Sequence, residues 1–180
     1  MIDDKDLYDA HYFGLYYVKD AKRDQMYRLE RKRILKRMPK SFESLSILDV
    51  GCGVGGFLDG FDDRWRKYGF EPSDFAAEKA KRKGICMLRS VNVADTESMD
   101  VVVFRGTLQH INMPMQTLGH ATRALRKGGL LVILATPNTD SLVYSLFKNL
   151  PPLDPPRNWV LWGQHNLDNV LERFGYGRRE

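Results

Sequence analysis

Cysteine is nearly absent: two residues in 180, Cys52 and Cys86. Two thiols with no ligand-like spacing argue against a zinc site and do not suggest a disulfide scaffold. Both are expected to be small buried side chains, and no metal is expected. Histidine is almost as scarce, with four. No apolar run is long enough to cross a bilayer. The N-terminus, Met1-Ile2-Asp3-Asp4-Lys5, has no apolar stretch behind a basic end, so no secretory leader is expected and the cytoplasm is the expected compartment. No internal repeat or low-complexity tract is visible. Hydrophobic residues make up 43%, which fits one soluble domain with its own core and not a disordered chain.

What is present is unevenly placed. Much of the net charge of +5 lies between Lys22 and Lys40, with Arg23, Arg28, Arg31, Lys32, Arg33, Lys36 and Arg37 between them. Asp20 to Met38 reads as a helix, with Tyr27, Ile34 and Met38 on one face and Pro39 as its stop. Asp24 and Glu30 interrupt the basic run, and a charged face of this kind is usually just solvated. Ahead of it, Asp6 to Tyr17 is rich in aromatics: Tyr8, Tyr12, Phe13, Tyr16 and Tyr17.

Strand and helix signals then alternate. Ile47–Val50, Lys67–Glu71, Ile85–Leu88, Val101–Phe104 and Leu130–Leu134 read as strands. Between them lie a helix start at Val54–Phe61, a helix at Asp74–Lys83 capped by Ser73 and closed by Gly84, and a helix at Met115–Arg126 broken by Gly128-Gly129. This order predicts an α/β fold: a doubly wound, mostly parallel sheet with helices on both faces. Beyond Pro137-Asn138 come a helix at Ser141–Leu150, a proline-rich loop at Pro151–Pro156, the run Trp159-Val160-Leu161-Trp162 and a last helix near Leu167–Phe174.

The most informative stretch is Ser46-Ile47-Leu48-Asp49-Val50-Gly51-Cys52-Gly53-Val54-Gly55-Gly56, a buried strand ending in an acid, a glycine turn and a helix start. Glycine leaves peptide groups bare, so an adenosine-bearing ligand can lie against them. Gly51, Gly53 and Gly56 also satisfy the dinucleotide pattern G-x-G-x-x-G. Asp49 argues against a dinucleotide, because a carboxylate two residues before the first glycine would repel a pyrophosphate. It suits a ligand with an ammonium and a sulfonium. About 20 residues on, Glu71 ends the second strand, where an acid can accept hydrogen bonds from both ribose hydroxyls.

These residues resemble the class I S-adenosylmethionine-dependent methyltransferases. Ile47 to Gly55 is similar to that family's first motif and Phe70-Glu71-Pro72-Ser73 to its acidic second-strand end. Ser98 to Phe104 resembles its fourth-strand segment. Leu108-Gln109-His110-Ile111 resembles the Glu-His motif of the branch containing the quinone-biosynthesis O-methyltransferases, with Gln109 in place of the usual acid. Ala124 to Ile133 and Thr136-Pro137-Asn138 match the helix-turn-strand that follows. The resemblance implies a Rossmann-like methyltransferase fold and S-adenosyl-L-methionine as cofactor, released as S-adenosyl-L-homocysteine. By position, Asp49, Gly51, Gly53 and Gly55 would hold the methionine end and Glu71 the ribose. Val91 and Asn92 would flank the adenine, and Arg105 and Gly106 would line the sulfonium side.

Methyl transfer is an in-line displacement, and a hydroxyl acceptor needs a base. His110, just past the fourth strand, is the candidate catalytic residue, and a histidine that only pins its loop is the alternative. His11, with Tyr12 and Tyr16, could close over the cofactor, and His165 lies near the presumed mouth. For both, packing is favoured; His120 is assigned no role. Arg105-Gly106-Thr107-Leu108 stands where amino-methyltransferases of DNA and release factors carry an Asn/Asp-Pro-Pro-aromatic motif, which argues against that chemistry. The expected activity is methyl transfer to a small-molecule acceptor, at oxygen. The alternatives are a nucleic-acid (RNA) methyltransferase using the basic helix, and a non-catalytic cofactor-binding domain.

One domain over residues 1–180 is expected: an N-terminal aromatic and basic helical cap (1–40), a cofactor-binding core (46–135) and a substrate-side insertion (139–166). In the insertion, the apolar residues from Leu142 to Trp162 are expected to be partly core, with one or two over the substrate. The family's fold has seven strands and five are legible, so a C-terminally truncated chain or a partner completing the sheet is expected. The fifth strand would then be an uncovered edge, which predicts a homodimer through that edge.

Overall fold

The computed structural model describes residues 10–16, 20–38, 44–148 and 157–177. The expected Pro39 helix stop and the 151–156 proline loop lie outside them. The elements run α1 (Ala10–Tyr16), α2 (Ala21–Arg37), β1 (Leu45–Val50), α3 (Gly56–Asp59), β2 (Trp65–Phe70), α4 (Asp74–Lys81), β3 (Cys86–Leu88), β4 (Met99–Arg105), α5 (Pro114–Ala124), β5 (Leu125–Leu134), α6 (Leu142–Phe147) and α7 (Gln164–Arg173). Short 3₁₀ turns at Val91–Val93 and Leu108–His110 follow β3 and β4.

The sheet is parallel throughout, in the order β3-β2-β1-β4-β5. The chain winds outward in one direction from β1 and in the other from β4. The strand order therefore reverses between β1 and β4, where open α/β sheets leave a crevice at their carboxyl ends. β1 and most of β4 are buried on both faces, and alternation divides their side chains between two cores. Ile47, Val101 and Val103 pack with Tyr27, Ile34, Phe57, Leu58, Phe61 and Trp65 on one face. Leu48, Val50, Val102 and Phe104 pack with Leu118, Ala121, Ala124 and Trp162 on the other. Asp100 binds three strands together: its Oδ2 accepts the Ser46 N–H at 2.7 Å and its Oδ1 meets Arg126 at 2.7 Å.

Four local expectations are corrected. Helix α5 ends at Ala124, and Leu125 to Gly129 already belong to β5. The β4–β5 register jumps from Met99–Leu125 to Val101–Leu130, so the strand absorbs the Gly128-Gly129 pair as an irregularity. The glycine turn leads into one short turn of helix, Gly56–Asp59, because Gly60 ends it. Cys86 is exposed; only Cys52 is buried, its Sγ filling the space left by Gly69 of β2. Finally, Leu142, Val143, Leu146 and Phe147 of α6 are exposed, as are Trp159 and Leu161, while Trp162 is the residue of that run that reaches the core as a buried side chain. Among the described residues no helix is long and apolar enough to cross a membrane.

Candidate cofactor and acceptor site

A cavity of about 390 Å³ opens at the β1/β4 crevice. Its floor is the glycine turn. Gly51 has φ +78°, and a Cβ there would strike the Thr107 side chain, so only glycine lets the turn pass beneath the loop after β4. Gly51, Gly53, Glu71, Val91, Asn92, Arg105, Gly106 and His110 all line this one cavity. Two other expected residues do not. Asp49 is wholly buried under the turn, and Gly55 faces Ile85 and Ala80 behind it.

Glu71 is fixed by the backbone it serves. Its Oε2 accepts the Gly53 N–H at 2.9 Å and its Oε1 accepts the Ser73 N–H at 3.0 Å. Burial pushes its carboxyl up, and the two N–H groups oppose this. Each oxygen keeps lone-pair capacity toward the cavity, as a ribose diol would need. On the far side, Ser90 caps the turn holding Val91 and Asn92, and Arg123 donates to the Asn92 carbonyl. Residues 90–92 are therefore braced by α5.

Asp49 is the electrostatic anomaly. Its Oδ1 is buried without a hydrogen-bond partner. Desolvation pushes its pKa up to about 7; Arg105 opposes the rise, and Glu71 and Glu30 add to it. A buried polar atom without a partner is rare and points to a missing cation or donor. The residues thus fit a ligand carrying an ammonium: an orphaned carboxylate beneath, bare peptide above and an acid at the sugar position.

At the cavity mouth, His110 Nδ1 lies 2.9 Å from the Arg157 carbonyl. A carbonyl can only accept, so Nδ1 carries the proton and Nε2 presents its lone pair. Nε2 accepts from the Gln109 amide at 3.2 Å, and that amide also donates to the Gly106 carbonyl. The Gln109 backbone carbonyl accepts the Trp159 N–H at 2.8 Å. Gln109 and His110 therefore dock residues 157–160 against the cavity mouth. None of the described residues of 139–166 lines the cavity itself. His165 bonds Asp140 through its backbone N–H and lies outside it, and His11 is exposed.

Several wall residues carried no expectation. Phe13, Thr107, Gln116, Thr117 and His120 all face the cavity. The spacing Gln116, Thr117, His120 is one helix face, a polar stripe beside the apolar Leu118 and Ala121, and was the signal available for them. Glu30, expected only to interrupt a basic run, is buried against Arg105. Among the described residues no group of three or more His, Cys, Asp or Glu could hold a metal ion. A wider groove of about 1020 Å³ follows the outer edge of β5, between α2 and α7, and holds none of these cofactor-type groups.

A family model described as a methyltransferase domain matches residues 21–177. Malonyl-[acyl-carrier protein] O-methyltransferase of Paenibacillus sp. (strain JDR-2) is 26% identical over 150 residues, covering 72% of this chain and 54% of that protein. The chain thus spans about half the length of this curated relative. Magnesium protoporphyrin IX methyltransferase from Synechocystis PCC 6803, solved with bound S-adenosylhomocysteine, superposes with a TM-score of 0.68 at 15% identity, covering 95% of this chain and 87% of that one. Phosphoethanolamine N-methyltransferase 2 of Haemonchus contortus, solved with S-adenosyl-L-methionine, gives 0.66 at 18% identity, covering 97% of this chain and 44% of that one. At these identities the solved structures speak for the fold.

Proposed function

Because the chain belongs to the class I S-adenosylmethionine-dependent methyltransferase family, we propose that it moves a methyl group from S-adenosylmethionine to an oxygen of a small-molecule acceptor. The observation that carries the reading is the pairing, across the glycine turn, of an orphaned carboxylate buried beneath it (Asp49) with a backbone-anchored one on the cavity wall (Glu71). Oxygen is favoured by the O-methyltransferase among the relatives and by the form in which His110 is held. On this reading residues 46–135 are the cofactor half, 139–166 the acceptor half and 1–40 a cap.

Bound S-adenosylmethionine supplies a methyl carbon already activated by positive sulfur. The chain's task is to align and to shield. Glu71 accepts from the ribose hydroxyls, Asp49 sets the charge under the ammonium, and Val91 and Asn92 flank the adenine. Gly51, Gly53 and Gly106 let backbone approach the methionine and sulfonium, and Gly55 supports the turn from behind. The Arg157 carbonyl holds His110 in the tautomer whose Nε2 can take a proton from an acceptor hydroxyl once Gln109 yields its hydrogen bond.

The test is calorimetry with S-adenosylhomocysteine, followed by transfer of labelled methyl to an acceptor panel spanning hydroxyl, carboxyl and amine compounds. Micromolar binding with labelling of an oxygen acceptor is expected. In His110→Asn, turnover should fall about 10²-fold or more while S-adenosylhomocysteine affinity stays within twofold. Equal turnover in the variant would remove His110 as the base.

A further inference from the structure

The two groups beside the ammonium position of the proposed ligand, Asp49 and Arg105, carry opposite charge and act on each other across adjacent strands, yet they are not bonded. Asp49 pairs in register with Val103 across β1 and β4. Arg105 lies two residues further along β4 and therefore on the same face as Asp49. A guanidinium rooted there can span to a neighbouring strand tip. A wholly buried carboxylate beside it would ordinarily be closed by such an ion pair, because an unpaired buried charge is costly. Instead Arg105 Nε donates to Glu30 Oε2 at 2.7 Å and its Nη2 to Oε1 at 3.4 Å. The guanidinium also lies over the Tyr27 ring, 4.3 Å from its centroid. Both members of the ion pair are close to buried, at 13% and 11% side-chain exposure. Asp49 Oδ1 is left without a partner.

We propose that Glu30 is a positioning residue for cofactor binding: from helix α2 it holds the Arg105 guanidinium away from Asp49, so that the carboxylate beneath the glycine turn stays unpaired and its charge acts on the ammonium of a ligand lying above the turn. Tyr27 completes the device by giving the diverted guanidinium a flat face to rest on. The ion pair joins residues 75 positions apart and so couples α2 to the cofactor crevice. The charged groups acting on Asp49 are Arg105, Glu71 and Glu30. Of these, Arg105 is the one that can compete with a ligand cation.

The inference rests on the S-adenosylmethionine reading, and the experiment separates the two. In Glu30→Gln the guanidinium is released and closes on Asp49, so S-adenosylhomocysteine affinity should fall about tenfold or more, since an opposite charge beside a carboxylate is worth about one to three pH units in its pKa. Glu30→Asp, which keeps the charge, should recover part of the loss. The double variant Glu30→Gln/Arg105→Met should bind more tightly than Glu30→Gln alone, because no guanidinium remains to occupy the site. An unchanged affinity in Glu30→Gln, or a double variant no better than the single, overturns the proposal. A second readout needs no ligand: carboxyl ¹³C titration of Asp49 in the apo protein. Its pKa should drop in Glu30→Gln by about one to three pH units, and because losing the Glu30 charge alone also lowers it, Arg105→Met should raise it more in the Glu30→Gln background than in wild type. An unmoved Asp49 overturns the proposal whatever the cofactor does. A wild-type protein that ignores S-adenosylhomocysteine overturns the cofactor reading, and the apo titration still decides whether Glu30 restrains Arg105.

Discussion

Replacing Glu71 by alanine removes an acceptor that faces two ways. Toward the protein it holds the Gly53 and Ser73 N–H groups at 2.9 and 3.0 Å; toward the cavity it keeps the lone pairs that the proposed ribose would use. Hydrogen bonds to a charged acceptor contribute about 1.5–3 kcal/mol, so losing the ribose contact should weaken S-adenosylhomocysteine about 10- to 150-fold. Glu71→Gln sharpens the test. An amide presents one oxygen and one NH₂, so one of the two backbone donors must meet another donor. Leaving such a group unsatisfied costs about 1–3 kcal/mol, and the cost falls on the apo turn as well as on the complex. The glutamine variant should therefore melt earlier than wild type and also bind more weakly. Calorimetry with S-adenosylhomocysteine and its 2′-deoxy analogue closes a double-mutant cycle. The deoxy analogue should lose affinity on wild type and lose little more on Glu71→Ala. Equal losses on both proteins would show that Glu71 does not hold the ribose.

On the proposed reading, Asp49 should make cofactor binding pH-dependent. Its pKa, raised by burial to about 7, lies above that of an unfolded aspartate at about 3.9. Its contribution to apo stability is thus fully present below about pH 4 and is lost as pH rises through about 7. An ammonium ligand favours the ionised form, so affinity should climb with pH toward 7 and then flatten, with protons released below 7; a flat calorimetric profile from pH 5.5 to 8 would contradict this, and Asp49→Asn should be flat. Gly51→Ala forces a left-handed backbone and a clash with Thr107, so the variant should lose S-adenosylhomocysteine binding and several degrees of melting temperature, and full retention of both would show that the turn adapts. β5 is the edge strand among the described residues, with half-buried Leu130 to Leu134 along it; this edge should drive self-association, and a concentration-independent monomer in light scattering would count against it.

The parts of the fold that could be read from the sequence are those whose signals are local. Val101-Val102-Val103-Phe104 is apolar on both faces because β4 is central. Ser73 announces its helix through its own cap bond to Ala76, and Gly51 marks its turn by lacking a side chain. The start of β5 was hidden because Leu118, Ala121 and Leu125 keep a helical period, while only the pairing of Leu125 with Met99 shows that the helix has ended. Glu30 was hidden for a different reason. Its partner lies 75 residues away, and among seven nearby cations an isolated acid looks like surface punctuation. The motif places Gly55 among the ligand contacts, whereas in the structure it lies behind the turn, where a Cβ would strike Ile85 and Ala80. A motif reports which positions tolerate no side chain, not which side the obstruction is on.

The two thiols differ in a way that is useful at the bench. Cys52 is sealed over Gly69 and its deprotonation is strongly disfavoured by burial, which makes it unreactive. Cys86 stands in solvent at the head of β3, four residues before Ser90 at the cavity wall. A maleimide fluorophore should therefore attach at one place only, giving the wild-type protein a built-in optical gauge of nucleoside occupancy without any engineering of the chain.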